Sequence, residues 1–397
     1  MDKNKCIELL CAEIDRHWPE MVEMSDGFAA EPEISGAEFK TSKKIVDVLE
    51  KAGFDVEYPF MEIPTAFFAK KGKPGSGGRV ALLVEYDALP EIGHACGHNL
   101  HGAMSVLAGL GLLPLMKEVP GELLVIGTPA EETNGAKVEM AEKGVFDGCD
   151  FAIMIHSHCG KTIVKYRSLA MDAVEFTFKG RTSHAAAAPW EGINALNGLQ
   201  LFFHAIDMLR QHVKQEVRMH GIYHEGGTAP NIVPERAKGR FYFRAPKRAY
   251  LDEIMEKVYN CARGAALATG TEVTWSNFEA SFKDMLPNET AEELLEALFS
   301  EYGILVTMIE GFMGSSDVGD VTYKCPAVQP EMDICGKNIE AHTRAFAEAT
   351  TTERAHEAMR TGAKIIARSA LEVLLDEKLR EKMWEDYRKE MEKGKEH

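Results

Sequence analysis

Apolar positions in the first third of the chain keep a helical spacing and then contract into short buried runs. Residues 3–18 carry apolar side chains at the spacing of an amphipathic helix. Ser35, followed three positions later by Glu38, predicts a capping box for a second helix that stops at Ala52-Gly53-Phe54. Short apolar stretches around 54–59, 64–70 and 79–85 read as strands. A helix is expected over 99–116, a strand over 121–129, a helix from Thr133 to Gly144 and a strand over 149–156. Helices alternating with buried strands point to an α/β sheet.

Near residue 170 the pattern changes to alternating strands, at 173–180, 239–245 and 271–279, with helical stretches at 192–213 and 249–268. With one further strand, not located in the sequence, between the two helices, the order is the βαββαβ of a ferredoxin-like unit, inserted into the first domain. The expected domains are therefore 1–170, the insert over 171–282, and a return to the first domain over 283–397. The charged stretch from Leu375 to the C-terminus predicts a solvated helix.

Length and charge narrow the function classes. A chain of 397 residues with 45% hydrophobic content exceeds one ordinary core, in keeping with two domains. Asp and Glu outnumber Lys and Arg by 62 to 45, and a net charge of −17 repels phosphate backbones and anionic lipid, so no nucleic-acid partner is expected. The apolar run over 104–116 carries a proline and falls short of the roughly 20 residues a membrane helix needs. The N-terminal residues show no signal-peptide core, and eight scattered cysteines fit a reducing compartment. A cytoplasmic protein without a membrane partner is the expectation.

Chemistry concentrates in four stretches. The run GHACGHNLHG over 93–102 packs three histidines and Cys96 together, with Cys96 and His98 two apart, a spacing that puts both side chains on one side of an extended loop. TPAEET over 128–133 offers adjacent carboxylates just past a strand, where α/β sheets carry ligands. One of the pair can hold a metal while the other serves as general base. MIHSH over 154–158 offers His156 or His158, and His342 stands in EAHTRAF. Such His, Cys and Glu donors suit a metal centre. Two rivals compete: Cys96 as a nucleophile with His94 or His98 as its base, and a zinc deaminase, which lacks its paired-cysteine element here.

In their order, these segments resemble the dimetal amidohydrolases and peptidases that include aminoacylase, carboxypeptidase G and hippurate hydrolase. The resemblance spans nearly the whole chain and rests on EPEISGAEFKTSKKIVDVLEKAGF, VEYDALPEIGHACGHNLHGAM, GTPAEETNGAKVEMAEKGVFDGCD, FKGRTSHAAAAPWEGINAL, GGTAPNIVPERAKGRFYFRA and GSSDVGDV. HACGHN and GSSDVGDV resemble most the aminobenzoyl-glutamate utilisation protein B branch and its relatives that split β-alanyl or lysine-type dipeptides. The resemblance implies a mixed-sheet, zinc-peptidase-like catalytic domain with a ferredoxin-like dimerisation or lid insert. It further implies a metal set of Cys96, His98, Glu132, His156 and His342, with His158 the rival of His156, and Glu131 as general base. His184 is implied to reach a partner subunit's site and steady the oxyanion, and Asn231 and Arg244 to hold the substrate's carbonyl and carboxylate. Two positions depart from the pattern. Glu85-Tyr86-Asp87 stands where many peptidases have His-x-Asp, which leaves Asp87 at best behind the ligands, and Ser316 stands where a glutamate is usual.

The implied reaction is hydrolysis of the amide bond of an N-acyl amino acid or dipeptide-like substrate, of aminobenzoyl-glutamate type, by water activated between two divalent ions, Mn²⁺ or Zn²⁺, in a homodimer or higher homo-oligomer. The alternative is a non-hydrolytic metal- or peptide-binding protein on the same scaffold.

Overall fold

The computed structural model describes residues 2–393. Helix α1 (Lys3–Ala30) runs straight past the stop expected at residue 18 and through Pro19. Proline removes one backbone hydrogen bond there, but the buried stripe of Cys6, Leu10, Ile14, Met21, Met24 and Phe28 continues on both sides of it. Asp15, one turn before, is tied to Arg360 and Lys364 at 2.8 and 2.6 Å. Helix α2 (Phe39–Ala52) ends, as expected, at a left-handed Gly53. Its start corrects the capping-box reading. Ser35 Oγ donates to Asp87 at 2.7 Å instead, and Glu33 accepts the backbone N–H groups of Lys40 and Thr41. Glu38 is buried and spends its oxygens on Gly36, Thr65 and Ala130.

Strands β1 (Asp55–Glu57), β2 (Phe67–Gly72) and β3 (Arg79–Val84) precede α3 (His98–Leu112). They are followed by β4 (Glu122–Gly127), α4 (Ala136–Glu142), β5 (Phe151–Ile153) and β6 (His156–His158). The expected strand over 149–156 thus divides into two: β5 joins the main sheet, while His156 opens β6, which pairs with a different partner. With its short 3₁₀ extension, α3 spans His98–Lys117, long and apolar enough on length and composition to cross a bilayer, yet 89% of that window is buried inside the protein. It is a core helix.

The insert contains β7 (Ala170–Lys179), α5 (Ala195–Leu209), β8 (Arg218–Glu225), β9 (Arg236–Ala245), α6 (Arg248–Thr269) and β10 (Glu272–Asn277). The chain then returns through α7 (Glu289–Glu301), α8 (Val318–Thr322), β11 (Ala327–Val328), β12 (Glu331–Asp333), α9 (Arg344–Ala349), α10 (Glu353–Leu375) and α11 (Glu377–Lys393). Two compact units result, one comprising residues up to Arg167 with Met285–Lys393, the other Ser168–Asp284.

In the larger unit a mixed six-stranded sheet has the order β1-β2-β4-β3-β5-β11, with β3 parallel to β4 and β5. Alternate residues of a strand face opposite sides. Val80, Leu82 and Val84 pack with α1, α3 and α10, and Ala81 and Leu83 pack with Met140 and Phe146 on the α4 side and Val318 and Val321 of α8. The sheet is therefore covered on both faces. Because Val84 pairs with Gly127 and Leu82 with Ile153, the segments leaving β3, β4 and β5 emerge side by side at the carboxyl edge, where such sheets hold their ligands.

The smaller unit is an antiparallel sheet of order β10-β7-β9-β8, with Phe176, Phe178, Phe202, Phe241 and Phe243 forming a buried aromatic core with α5 and α6. The terminal helix α11 is more than a solvated tail: Met383 is buried and Trp384 Nε1 donates to Asp150 at 2.9 Å. Cys159 and Cys335 are joined as a disulfide, a pairing across 176 positions that their scatter in the sequence does not suggest.

Candidate metal centre and active site

The three parallel strand ends deliver the donors. Past β3 come Glu85 and Asp87, past β4 Glu131 and Glu132, and past β5 His156. Cys96 precedes α3 and His98 is its first residue. Gly97 between them adopts φ +82°, and a Cβ there would lie 2.6 Å from Ser157 Cβ, so only glycine lets the loop approach the His156 segment. Gly97→Ala is expected to destabilise the protein by more than about 1 kcal/mol, read from the denaturant midpoint.

The donors converge. The Cys96 sulfur, the His98 ring and a Glu132 oxygen offer ligand atoms within 4.8 Å of one another. Cys96 Sγ lies 3.5 Å from His156 Nε2, and His342 Nε2 lies 3.5 Å from Glu132 Oε1. His342 reaches this place on strained backbone, at φ 60°, with its N–H donating to Ala95 O at 2.9 Å. Ala130, just before the glutamate pair, is also left-handed at φ 61°. Non-glycine residues hold such angles only when their surroundings impose them.

Hydrogen bonds select the tautomers. His98 Nδ1 donates to Asp87 at 2.8 Å and His156 Nδ1 donates to the Ser157 carbonyl at 2.8 Å. Each ring therefore turns Nε2 toward the other donors, and that nitrogen binds a metal once it carries no proton. His98 Nε2 and Glu132 Oε1 are buried without hydrogen-bond partners. Buried polar atoms without partners, facing a thiol, imidazoles and carboxylates, fit a divalent cation, whose charge offsets their desolvation and displaces a proton from an imidazole. Asp87 sits behind them, accepting also from Ser35 Oγ and from the Glu132 backbone N–H. His158 lies apart from this group, 3.6 Å from Glu331.

Electrostatics separates the two glutamates. Burial, and after it the carboxylates of Glu85, Glu132 and Asp317, push the Glu131 carboxyl well above its ordinary range, which suits a proton acceptor. Asp87 goes the other way. Burial raises it, but the charge and hydrogen bond of His98 prevail and hold it at about 2. His94 belongs to none of the donor groups found among the described residues, and burial together with His98 depresses it to about 3, too weak a base to activate Cys96.

Glu85, His101, Lys137 and Asp317 do not stand out in the sequence. Lys137 Nζ bridges Glu85 Oε1 and Asp317 Oδ1, and His101 Nε2 lies 3.0 Å from Glu85 Oε2. The Gly-Ala-Lys after the glutamates and the third histidine of the GHACGHNLHG run are the available signals. Ser316, at the departing position, is buried and donates to Gln329 Oε1 at 2.8 Å.

In the smaller unit, His184 and Asn231 are neighbours and exposed: Ala185 N–H donates to the Asn231 carbonyl at 3.0 Å. His184 Nδ1 accepts from the N–H groups of Ala186 and Ala187 at 3.3 and 3.1 Å, so Nε2 carries the proton and can donate outward. Arg244, on β9, lies over the Tyr242 ring at 5.6 Å.

The chain is similar to known proteins in sequence and in fold. Residues 81–372 match the family model described as Peptidase family M20/M25/M40. An Xaa-Arg dipeptidase of Mus musculus is 35% identical over 83% of this chain and 79% of its own length. A p-aminobenzoyl-glutamate hydrolase chain of Escherichia coli (strain K12) is 27% identical over 89% of each sequence. A dinuclear metal-binding peptidase from the M20 family of Bacillus subtilis superposes with TM-score 0.67 at 22% identity, covering 91% of this chain and 99% of its own.

Proposed function

We propose, for a chain that belongs to the peptidase family M20/M25/M40 and is a metal-dependent amidohydrolase, that its substrates are dipeptides or N-acyl amino acids with a free carboxylate. The observation that carries this reading is the convergence of Cys96, His98, Glu132, His156 and His342, with the Nδ1 atoms of His98 and His156 engaged by Asp87 and the Ser157 carbonyl and their Nε2 atoms turned inward, beside Glu131, whose carboxyl is pushed up by burial. Those five residues would hold two divalent ions. A thiolate suits zinc, and the imidazole and carboxylate donors suit manganese as well. When bound, the ions supply Lewis acidity toward the scissile carbonyl and the attacking water.

The chain's own groups do the rest. Glu131 takes a proton from the attacking water and returns it to the departing amine. His184 Nε2–H donates to the oxyanion from a second copy of the chain. Asn231 holds the substrate carbonyl, and the planar fork of Arg244 binds its carboxylate. Asp87 keeps His98 in the ligating tautomer. A homodimer in the cytoplasm is part of the proposal. The exposed Ile222 and Tyr223 on the edge strand β8 support it, since a second copy would cover them.

The test is a panel of dipeptides, N-acetyl amino acids and aminobenzoyl-glutamate assayed with chelator-stripped protein, before and after Mn²⁺ or Zn²⁺ is added back. Turnover that vanishes on chelation and returns with metal is expected. Turnover indifferent to chelation would overturn the metal reading in favour of Cys96 as nucleophile, and metal binding without hydrolysis of any member would overturn the substrate class.

A further inference from the structure

Behind the donors lies a second set of charged side chains that the proposed reaction does not use. Lys137 is wholly buried, with Nζ 2.6 Å from Glu85 Oε1 and 2.7 Å from Asp317 Oδ1. Its backbone N–H also donates to Asp317 Oδ2 at 3.2 Å. A buried ion pair seldom stabilises more than well-packed apolar side chains of similar volume, so stability alone is a poor reason for an ammonium here.

The network leads back to the ligands. His101 Nδ1 accepts the Ser157 backbone N–H at 3.2 Å. An N–H group can only donate, so the His101 proton sits on Nε2, which donates to Glu85 Oε2 at 3.0 Å. That bond is strongest when Glu85 is a carboxylate held in place, and Lys137 holds it. At its far end, Ser157 touches both ligand-bearing segments. Its Oγ donates to the Gly97 carbonyl, between Cys96 and His98, at 3.4 Å, and its own carbonyl accepts from His156 Nδ1 at 2.8 Å.

We propose that Lys137 is a positioning residue which, through Glu85, His101 and Ser157, sets the register of the His156 segment against the Cys96–His98 loop and so the spacing of the metal donors. This inference rests on the donor set proposed above.

The experiment compares wild type with Lys137→Met, the charge-matched double variant Lys137→Met/Asp317→Asn, and His101→Leu, which leaves the Lys137 ion pairs intact. Each is dialysed against graded chelator and its retained Zn²⁺ or Mn²⁺ counted, with kcat and KM measured at saturating metal. His342→Ala serves as a ligand-loss control. The double variant and His101→Leu are expected to remain folded, with lowered melting temperatures, yet release metal at 10–100-fold lower chelator, with kcat reduced and KM unchanged. Wild-type retention and kcat in the double variant, while His342→Ala loses metal, would show that Lys137 only neutralises Asp317, and the proposal fails. If the double variant does not fold, wild-type retention in His101→Leu overturns the proposal by itself. If wild type retains no ions, the donor set fails instead.

Discussion

Exchanging Glu131 for glutamine is expected to lower kcat by about two to four orders of magnitude while KM and metal content stay near wild type. Glutamine keeps the shape and hydrogen-bonding reach of the side chain but cannot carry a proton. The neighbouring glutamate has a different environment. Glu132 Oε1 faces His98 Nε2 at 3.9 Å and His342 Nε2 at 3.5 Å, whereas Glu131 Oε2 lies 4.0 Å from His98 Nε2 and stands among the carboxylates of Glu85, Glu132 and Asp317. Glu132→Gln should therefore fail differently, losing bound metal along with turnover. Metal analysis beside steady-state kinetics separates the pair. If Glu131→Gln kept kcat within tenfold of wild type, or if it shed metal as Glu132→Gln does, the assignment of the general base would be lost.

How far the sequence makes this legible depends on whether the signal is local. The uninterrupted apolar runs of β3 and β4 belong to strands buried on both faces, and Gly53 closes α2 where a left-handed residue is needed. Strand β8 escapes the sequence reading because it is an edge strand with only Met219 buried, so its residues follow no clean alternation. Helix α1 crosses Pro19 because packing on both sides outweighs one lost backbone bond, which no local rule reports. Ser35 and Glu38 have the spacing of a capping box, but both side chains are drawn off by tertiary partners.

The same division runs through the site. Cys96, His98 and the adjacent glutamates announce themselves by residue type and spacing. Glu85, Lys137 and Asp317 do not: 52 positions separate the first two and 180 the last two, and each is an ordinary charged residue until the fold buries them together. Asp87 is legible as a residue behind the candidate donors only because Glu85 stands where the His-x-Asp pattern has its histidine. Its three hydrogen bonds, from His98, Ser35 and Glu132, show what such a residue contributes: it fixes a ring, a loop and the glutamate backbone at once.

Cys96 provides the second large effect. Without cations the thiol is held well above its ordinary pKa, first by burial and then by the carboxylate of Glu132, so the protein alone stabilises no thiolate. A nucleophilic cysteine needs the reverse, a setting that lowers its pKa. A ligand does not, because the metal itself supplies the charge that ionises it. Cys96→Ala is accordingly expected to weaken metal retention by more than the 10–100-fold that loss of a supporting partner costs, and to abolish turnover at limiting metal. Cys96→Asp restores an anionic donor but a hard one, so it should recover activity with Mn²⁺ more than with Zn²⁺. Iodoacetamide should modify the stripped protein slowly and the metal-loaded protein more slowly still, because a coordinated sulfur is shielded. Full metal content and turnover in Cys96→Ala would remove the thiol from the centre. The remaining donors would then have to be His98, Glu132, His156 and His342, and the 3.5 Å approach of Cys96 to His156 would be a packing contact alone.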